Sequence, residues 1–317
     1  MQPIMPTIPT PLMVLDGGLA TELERRGFDL NHRLWSASVL QKYPEAIAAV
    51  HQDFLCHGAQ CITTASYQLS YPACHELGLS KPYYEQLLNS AVEVALQAVD
   101  VFLAAGPRRA PFRPRVAASM GPYAAYLADG SEYSGEYSVD VEELEVFHQQ
   151  QYATLAASRA DLLVFETIPN ISEAGAIRNL LLKNPDRPVW VSFCCRDSDH
   201  LSDGSSLKQA FELFEDIDAV VALGINCTAP EFVTPLLTSV RDVAQRKSRL
   251  VYPNSGEHYD GASKCWHAKG EAGFIDNVED WIKLGAQIIG GCCRTTPLDI
   301  QNISNTLNAL RAPGMAK

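Results

Sequence analysis

The sequence predicts an α/β protein built as a single (β/α)₈ barrel of the TIM type, and three observations carry that prediction. Eight short apolar, β-branched runs recur along it, at residues 13–16, 60–66, 115–120, 161–167, 189–195, 219–227, 250–253 and 287–293. Amphipathic stretches with helical spacing separate them. The length, 317 residues, suits eight strand–helix units with insertions.

Most of the runs are continuously apolar, as expected of parallel strands buried on both faces. After the first, Ile47, Val50, Phe54 and Leu55 share one helical face, and Gly58 is placed to end that helix. Between the second and third runs, Leu87, Leu88, Ala91, Val94, Ala95, Ala98 and Phe102 form a longer stripe. Residues 104–114, with Arg108, Arg109 and Arg113, read as a solvated loop before the third strand. The last stripe is Ile300, Ile303, Leu307 and Leu310, with Thr296 as N-cap, Pro297 at the first helical position and Asp299 in the first turn. Long polar connections follow strand ends at 128–139, 196–206 and 254–270; in a barrel all three lie on the C-terminal face, where active sites form. A doubly wound open sheet is the rival. Such sheets carry a Gly-rich phosphate loop after the first strand, and Asp16-Gly17-Gly18 is too short for one. The barrel domain is expected over 12–310, after an N-terminal extension at 1–11.

Composition narrows the function. Apolar residues make up 47% and charged residues 20%, an ordinary globular balance. The formal net charge of −12 makes the chain a poor general binder of nucleic acid or anionic membrane, and suits a cationic ligand. No unbroken run of eighteen apolar residues occurs, and no membrane span is expected. Residues 1–11 contain four prolines and no basic residue, unlike a signal peptide. Nine cysteines, an odd number, argue against a disulfide framework and for reduced thiols in a cytoplasmic protein.

Cysteine placement is the sharpest chemical signal. Cys227 ends the sixth run, and Cys292 and Cys293 follow Gly290-Gly291 at the end of the eighth. Three thiolates meeting at a barrel mouth would make a tetrahedral zinc site with one open position. Neighbouring strand residues point to opposite faces, so Cys292 and Cys293 can meet only if the glycine pair lets the backbone turn. Buried free cysteines are the plainer alternative. Cys194 and Cys195 also end a run but lack the glycines; they read as one core and one surface-facing residue. Cys56, Cys61, Cys74 and Cys265 read as singletons. No histidine cluster has metal-ligand spacing, which argues against zinc hydrolase barrels.

Asp16 and Glu166 are carboxylates at strand ends, able to bind a substrate ammonium together. Each could instead be a helix cap or a loop ion pair. The N–H groups of Gly17 and Gly18 could receive a carboxylate.

With these segments, the sequence resembles the homocysteine S-methyltransferase family, and most closely its compact members that use S-methylmethionine or S-adenosylmethionine. The likeness runs from Leu12 to about Leu310 and rests on Leu15-Asp16-Gly17-Gly18, Asp129-Gly130-Ser131-Glu132-Tyr133, Glu166-Thr167, Gly224-Ile225-Asn226-Cys227 and Gly290-Gly291-Cys292-Cys293-Arg294. The resemblance implies a zinc-dependent barrel enzyme that methylates homocysteine to methionine. It implies Cys227, Cys292 and Cys293 as zinc ligands, and Asp16 and Glu166 on the homocysteine amino group. Ser66 and Asn226 would line the substrate pocket, and no catalytic residue is expected beyond the zinc site. The expected partners are small molecules: homocysteine and a sulfonium. Tyr133, Tyr137, Trp266 and Glu257 sit on the long loops, where they could line the site of the cationic donor. Selenocysteine as acceptor, or a non-catalytic zinc-binding barrel, are the alternatives.

Overall fold

The computed structural model describes residues 12–106, 112–260, 265–267 and 274–311. The strands are β1 (Met13–Val14), β2 (Cys61–Thr63), β3 (Arg115–Met120), β4 (Leu162–Ile168), β5 (Val189–Phe193), β6 (Val220–Asn226), β7 (Ser248–Tyr252), β8 (His258–Asp260), β9 (Cys265–His267) and β10 (Ala286–Ile289). Eight of them form one parallel sheet in the order β1-β10-β7-β6-β5-β4-β3-β2. A parallel bridge between Leu15 and Cys61 joins its two edges. Two backbone hydrogen bonds reinforce the seam: Asp16 N–H to Cys61 O at 3.1 Å and Gln60 N–H to Val14 O at 2.8 Å. The sheet is thus closed into a (β/α)₈ barrel, and closure leaves no edge for foreign pairing.

The barrel interior is packed rather than hollow. Met13, Leu15, Cys61, Ala117, Leu162, Val164, Trp190, Ala222, Leu250 and Ile288 fill it. A larger core lies between strands and helices. Helix Pro44–Cys56 buries Ile47, Val50, Phe54 and Leu55 as its pattern predicts, and Gly58 follows its end at φ 103°. Helix Lys81–Ala105 is, among the described residues, long and apolar enough to cross a membrane, contrary to what the unbroken-run criterion suggests. Its apolar face is spent on the barrel, with Tyr84, Leu88, Ala91, Ala95 and Val99 buried. Helix Pro297–Arg311 buries Ile300, Ile303 and Leu307, but Leu310, expected in the same stripe, is 50% exposed in the last turn. At its start Asp299 accepts hydrogen bonds from both the Thr296 N–H and its hydroxyl, each at 2.8 Å.

The surplus over simple alternation lies after strand C-termini. Three helices connect β1 to β2, and short helices Tyr123–Leu127 and Ser131–Ser134 follow β3. The connection expected at 254–270 contains an antiparallel pairing of β8 with β9. The strands also stop earlier than their apolar runs suggest: β1 ends before Asp16, β6 before Cys227 and β10 before Gly290. The chemistry-bearing residues are the ones that leave the sheet. Arg113 pairs with Asp161 at 3.0 Å, while Arg108, Arg109 and the extension 1–11 lie outside the described residues.

Candidate metal centre

Three cysteines from two strand ends, β6 and β10, converge at the C-terminal mouth. The Sγ atoms of Cys227, Cys292 and Cys293 all lie within 4.8 Å of one another, and Cys227 and Cys293 are 3.6 Å apart. Two thiolates on one tetrahedral zinc, at bond lengths of about 2.3 Å, stand about 3.8 Å apart. The donor set therefore has the spacing of a metal site.

Backbone turns create this convergence. β10 stops at Ile289, and the chain then bends through Gly290 and Gly291. A Cβ on Gly290 would stand 2.6 Å from Asp16 O, and one on Gly291 2.3 Å from Thr295 Oγ1. Only glycine passes here, and the turn removes the strand alternation that would have split the cysteine pair. The turn is then stitched to the segment that follows β7. Cys292 N–H donates to Pro253 O (2.8 Å), and Cys293 N–H to Asn254 Oδ1 (3.2 Å). Cys227 itself is at φ 49°, a left-handed conformation that costs a non-glycine residue energy and marks a functional turn.

The thiols share protons through their contacts. Hydrogen bonds from Cys227 and Cys292 hold Cys293 well below the usual thiol range. Hydrogen bonds with Cys292 and Cys293, together with burial, push Cys227 up. The Tyr133 hydroxyl lies 3.5 Å from Cys227 Sγ and 4.0 Å from Cys293 Sγ. A cation would take the place of these shared protons.

Asp16 and Glu166 line the same cavity of about 690 Å³ as the three cysteines. Asp16 accepts from Thr63 N–H at 2.8 Å and from its hydroxyl at 3.1 Å. Burial nevertheless pushes its carboxyl up to about 8, against the lowering by Thr63, with nearby Glu166 adding to the rise. Burial likewise raises Glu166, although the hydroxyls of Ser119 and Tyr252 hydrogen-bond to it. Two buried acids with raised pKa values beside each other are poised for an ammonium partner.

Glu166 is aimed by a bulge. The β4–β5 register slips between Phe165 and Ile168, and Thr167 sits at φ 64°. Bulges beside active sites re-aim side chains in this way. Asn226 clamps the bulge: its Oδ1 accepts from Thr167 N–H and its Nδ2 donates to Thr167 Oγ1, both at 2.8 Å. The same Nδ2 lies 4.0 Å from Cys292 Sγ. Asn226 is fully buried behind the cavity wall, linking the carboxylate to the sulfur cluster. Ser66 is also fully buried; its hydroxyl donates to Ser119 O at 2.7 Å, behind the residue that holds Glu166. Gly17 and Gly18 line the cavity, but the Gly18 N–H already donates to Thr295 Oγ1 at 3.1 Å.

The loop residues divide. Tyr133 reaches the sulfurs, whereas the Tyr137 hydroxyl is turned away to Glu173, which also bonds His148 Nε2 at 2.6 Å. Glu257 pairs with Arg294 at 2.6 Å. The side chains of Trp266 and Cys265 lie outside the described residues. Of Cys194 and Cys195, expected as one core and one surface-facing residue, neither is at the surface: they are 2% and 6% exposed, and Cys195 packs into the outer core, where it bridges to Leu201. Cys61 and Cys74 are buried and Cys56 is exposed.

Sequence reasoning missed Ser119, Tyr252, Thr63, Asn254 and Thr295, the polar groups that hold the site residues. Thr63, Asn254 and Thr295 each adjoin another polar residue and gave no signal, whereas Ser119 and Tyr252 are each a lone polar residue in an otherwise apolar run. Such a residue must find a buried partner.

The homocysteine S-methyltransferase family model matches residues 13–307. The chain is 46% identical over 291 residues to the homocysteine S-methyltransferase of Escherichia coli strain K12, covering 91% of this chain and 93% of that protein. This chain belongs to the homocysteine S-methyltransferase family, and is a methyltransferase. Within the family it is also 42% identical to a selenocysteine Se-methyltransferase of Brassica oleracea var. italica, over 94% of this chain and 90% of that one. The metallated form of the homocysteine methyltransferase MmuM from Escherichia coli superposes with a TM-score of 0.83 at 42% identity, covering 93% of this chain and 96% of that chain.

Proposed function

We propose that this enzyme moves a methyl group from a sulfonium, S-methylmethionine or S-adenosylmethionine, to the thiol of L-homocysteine, giving methionine, with zinc held by Cys227, Cys292 and Cys293. The observation that carries this reading is the placement of three sulfurs within 4.8 Å of one another in a cavity that also holds two buried carboxylates. An all-sulfur donor set suits zinc among the common divalent ions. When bound by Cys227, Cys292 and Cys293, zinc would supply a Lewis acid that favours the deprotonated form of a substrate thiol at neutral pH.

The chain's own residues do the rest by alignment. Asp16 and Glu166 bind the acceptor's ammonium and fix its thiol toward the sulfur cluster. Gly17 and Gly18 form the adjoining wall, where the acceptor's carboxylate lies. Asn226 holds the Glu166 bulge and Cys292 in one arrangement, and Ser66 supports it from behind. The leaving group from a sulfonium is a neutral thioether and needs no proton. The site accordingly requires no general acid.

The test is product formation by purified, zinc-loaded protein given homocysteine with S-methylmethionine, and in parallel with S-adenosylmethionine. Methionine from either donor is the expected result. No methionine from either, in protein shown to hold zinc, contradicts the proposal. The likeness to a selenocysteine Se-methyltransferase makes selenocysteine the second acceptor to assay.

A further inference from the structure

The cavity holds a second set of charges that the acceptor does not use. Arg294 and Glu24 both line it. Arg294 directly follows the cysteine pair, and its Nε donates to Glu257 Oε2 at 2.6 Å. Among the described residues its two Nη groups take no hydrogen-bond partner. Glu24 lies within electrostatic reach of both Arg294 and the Cys293 sulfur. The group therefore stands beside the sulfur cluster.

Depth separates this set from Asp16 and Glu166. Those two carboxylates are 2% and 9% exposed. The Arg294 and Glu257 side chains are 35% and 30% exposed, at the mouth. Arg33, another cavity cation, is already engaged by Glu76 and by Leu127 O.

We infer that Arg294, Glu24 and Glu257 form a second amino-acid head site, which holds the α-carboxylate and α-ammonium of the methyl donor. The inference rests on the proposed methyl transfer. An acceptor anchored deep in the barrel leaves the mouth for the donor, and in-line displacement requires the two to approach from opposite sides of the transferred methyl. The guanidinium edge offers a planar, bidentate partner to a carboxylate. Glu24 and Glu257 are the matching partners for the ammonium. S-methylmethionine and S-adenosylmethionine carry the same head, so the site serves either.

The experiment is steady-state kinetics of zinc-loaded wild type and Arg294→Met, varying donor and homocysteine separately. Turnover by the wild type establishes the underlying reaction; its absence removes that reading, and this one with it. Given turnover, the donor KM should rise about tenfold or more in Arg294→Met for each sulfonium used, with the homocysteine KM within about twofold. Arg294→Lys, which keeps the charge but loses the fork, should fall between. An unchanged donor KM, or a rise in the homocysteine KM instead, overturns the assignment. A second arm needs no variant: the α-carboxamide of S-methylmethionine should lose about tenfold or more in kcat/KM with wild type. Equal use of amide and acid overturns the head site.

Discussion

Two cysteine pairs end barrel strands in this molecule, and they do opposite things. Cys194-Cys195 follows β5, and Cys292-Cys293 follows β10. After β5 the chain stays extended, so the side chains diverge as strand geometry dictates. Cys195 goes into the outer core, and Cys194 faces inward with its Sγ 3.4 Å from the Cys227 carbonyl oxygen. Burial pushes the Cys194 thiol up to about 12, where it remains an inert hydrophobe. After β10, two glycines turn the backbone and bring both sulfurs to Cys227. The same dipeptide becomes core or candidate metal centre according to the two residues before it.

The largest effect should come from the glycine-turned pair. Cys292→Ser, Cys293→Ser or Cys227→Ser should remove bound zinc and lower turnover by more than about 100-fold, beyond what loss of an outer partner causes. Metal analysis and methionine formation on the same samples check this. Full metal content in Cys292→Ser would break the comparison. Asn226→Ala should come next, weakening zinc affinity by about 10- to 100-fold through release of Thr167 and Cys292. Competition against a metal chelator reads it, and unchanged affinity would confine Asn226 to the Glu166 bulge.

Asp16 supplies a pH-dependent test on metal-free protein. Its folded pKa of about 8 lies above the ordinary aspartate value of 3.8, so its contribution to stability is full below about pH 4 and is lost as pH rises to about 8. Metal-free wild type should lose about 1 kcal/mol per pH unit from this group over that window, and Asp16→Asn should remove that slope. Thermal unfolding at pH 5.5 and 8 compares them; identical slopes would contradict a buried, protonated Asp16. The smallest effect belongs to Cys194→Ser. Zinc content and turnover should match wild type, with a stability loss of about 1 kcal/mol for a hydroxyl in a buried thiol's place. Loss of zinc there would erase the distinction between the pairs.

Much of this was legible in the residues. The barrel showed because buried parallel strands are plain apolar runs, and the Gly290-Gly291 pair announced the turn that resolves the Cys292-Cys293 alternation. What stayed hidden depends on tertiary pairing. The Glu166 bulge exists because β4 carries two residues opposite one of β5, and no local pattern records that register. Asn226 read as a pocket residue, yet its amide is spent on Thr167. One of Cys194 and Cys195 read as surface-facing, yet both are buried, because the 196–206 connection folds back to bridge Cys195 with Leu201.

Zinc-edge X-ray absorption of the loaded enzyme, before and after addition of homocysteine, tests the central claim most directly. The account predicts three sulfur neighbours at about 2.3 Å in the absence of acceptor and four in its presence. A sulfur count that does not rise with homocysteine would contradict it.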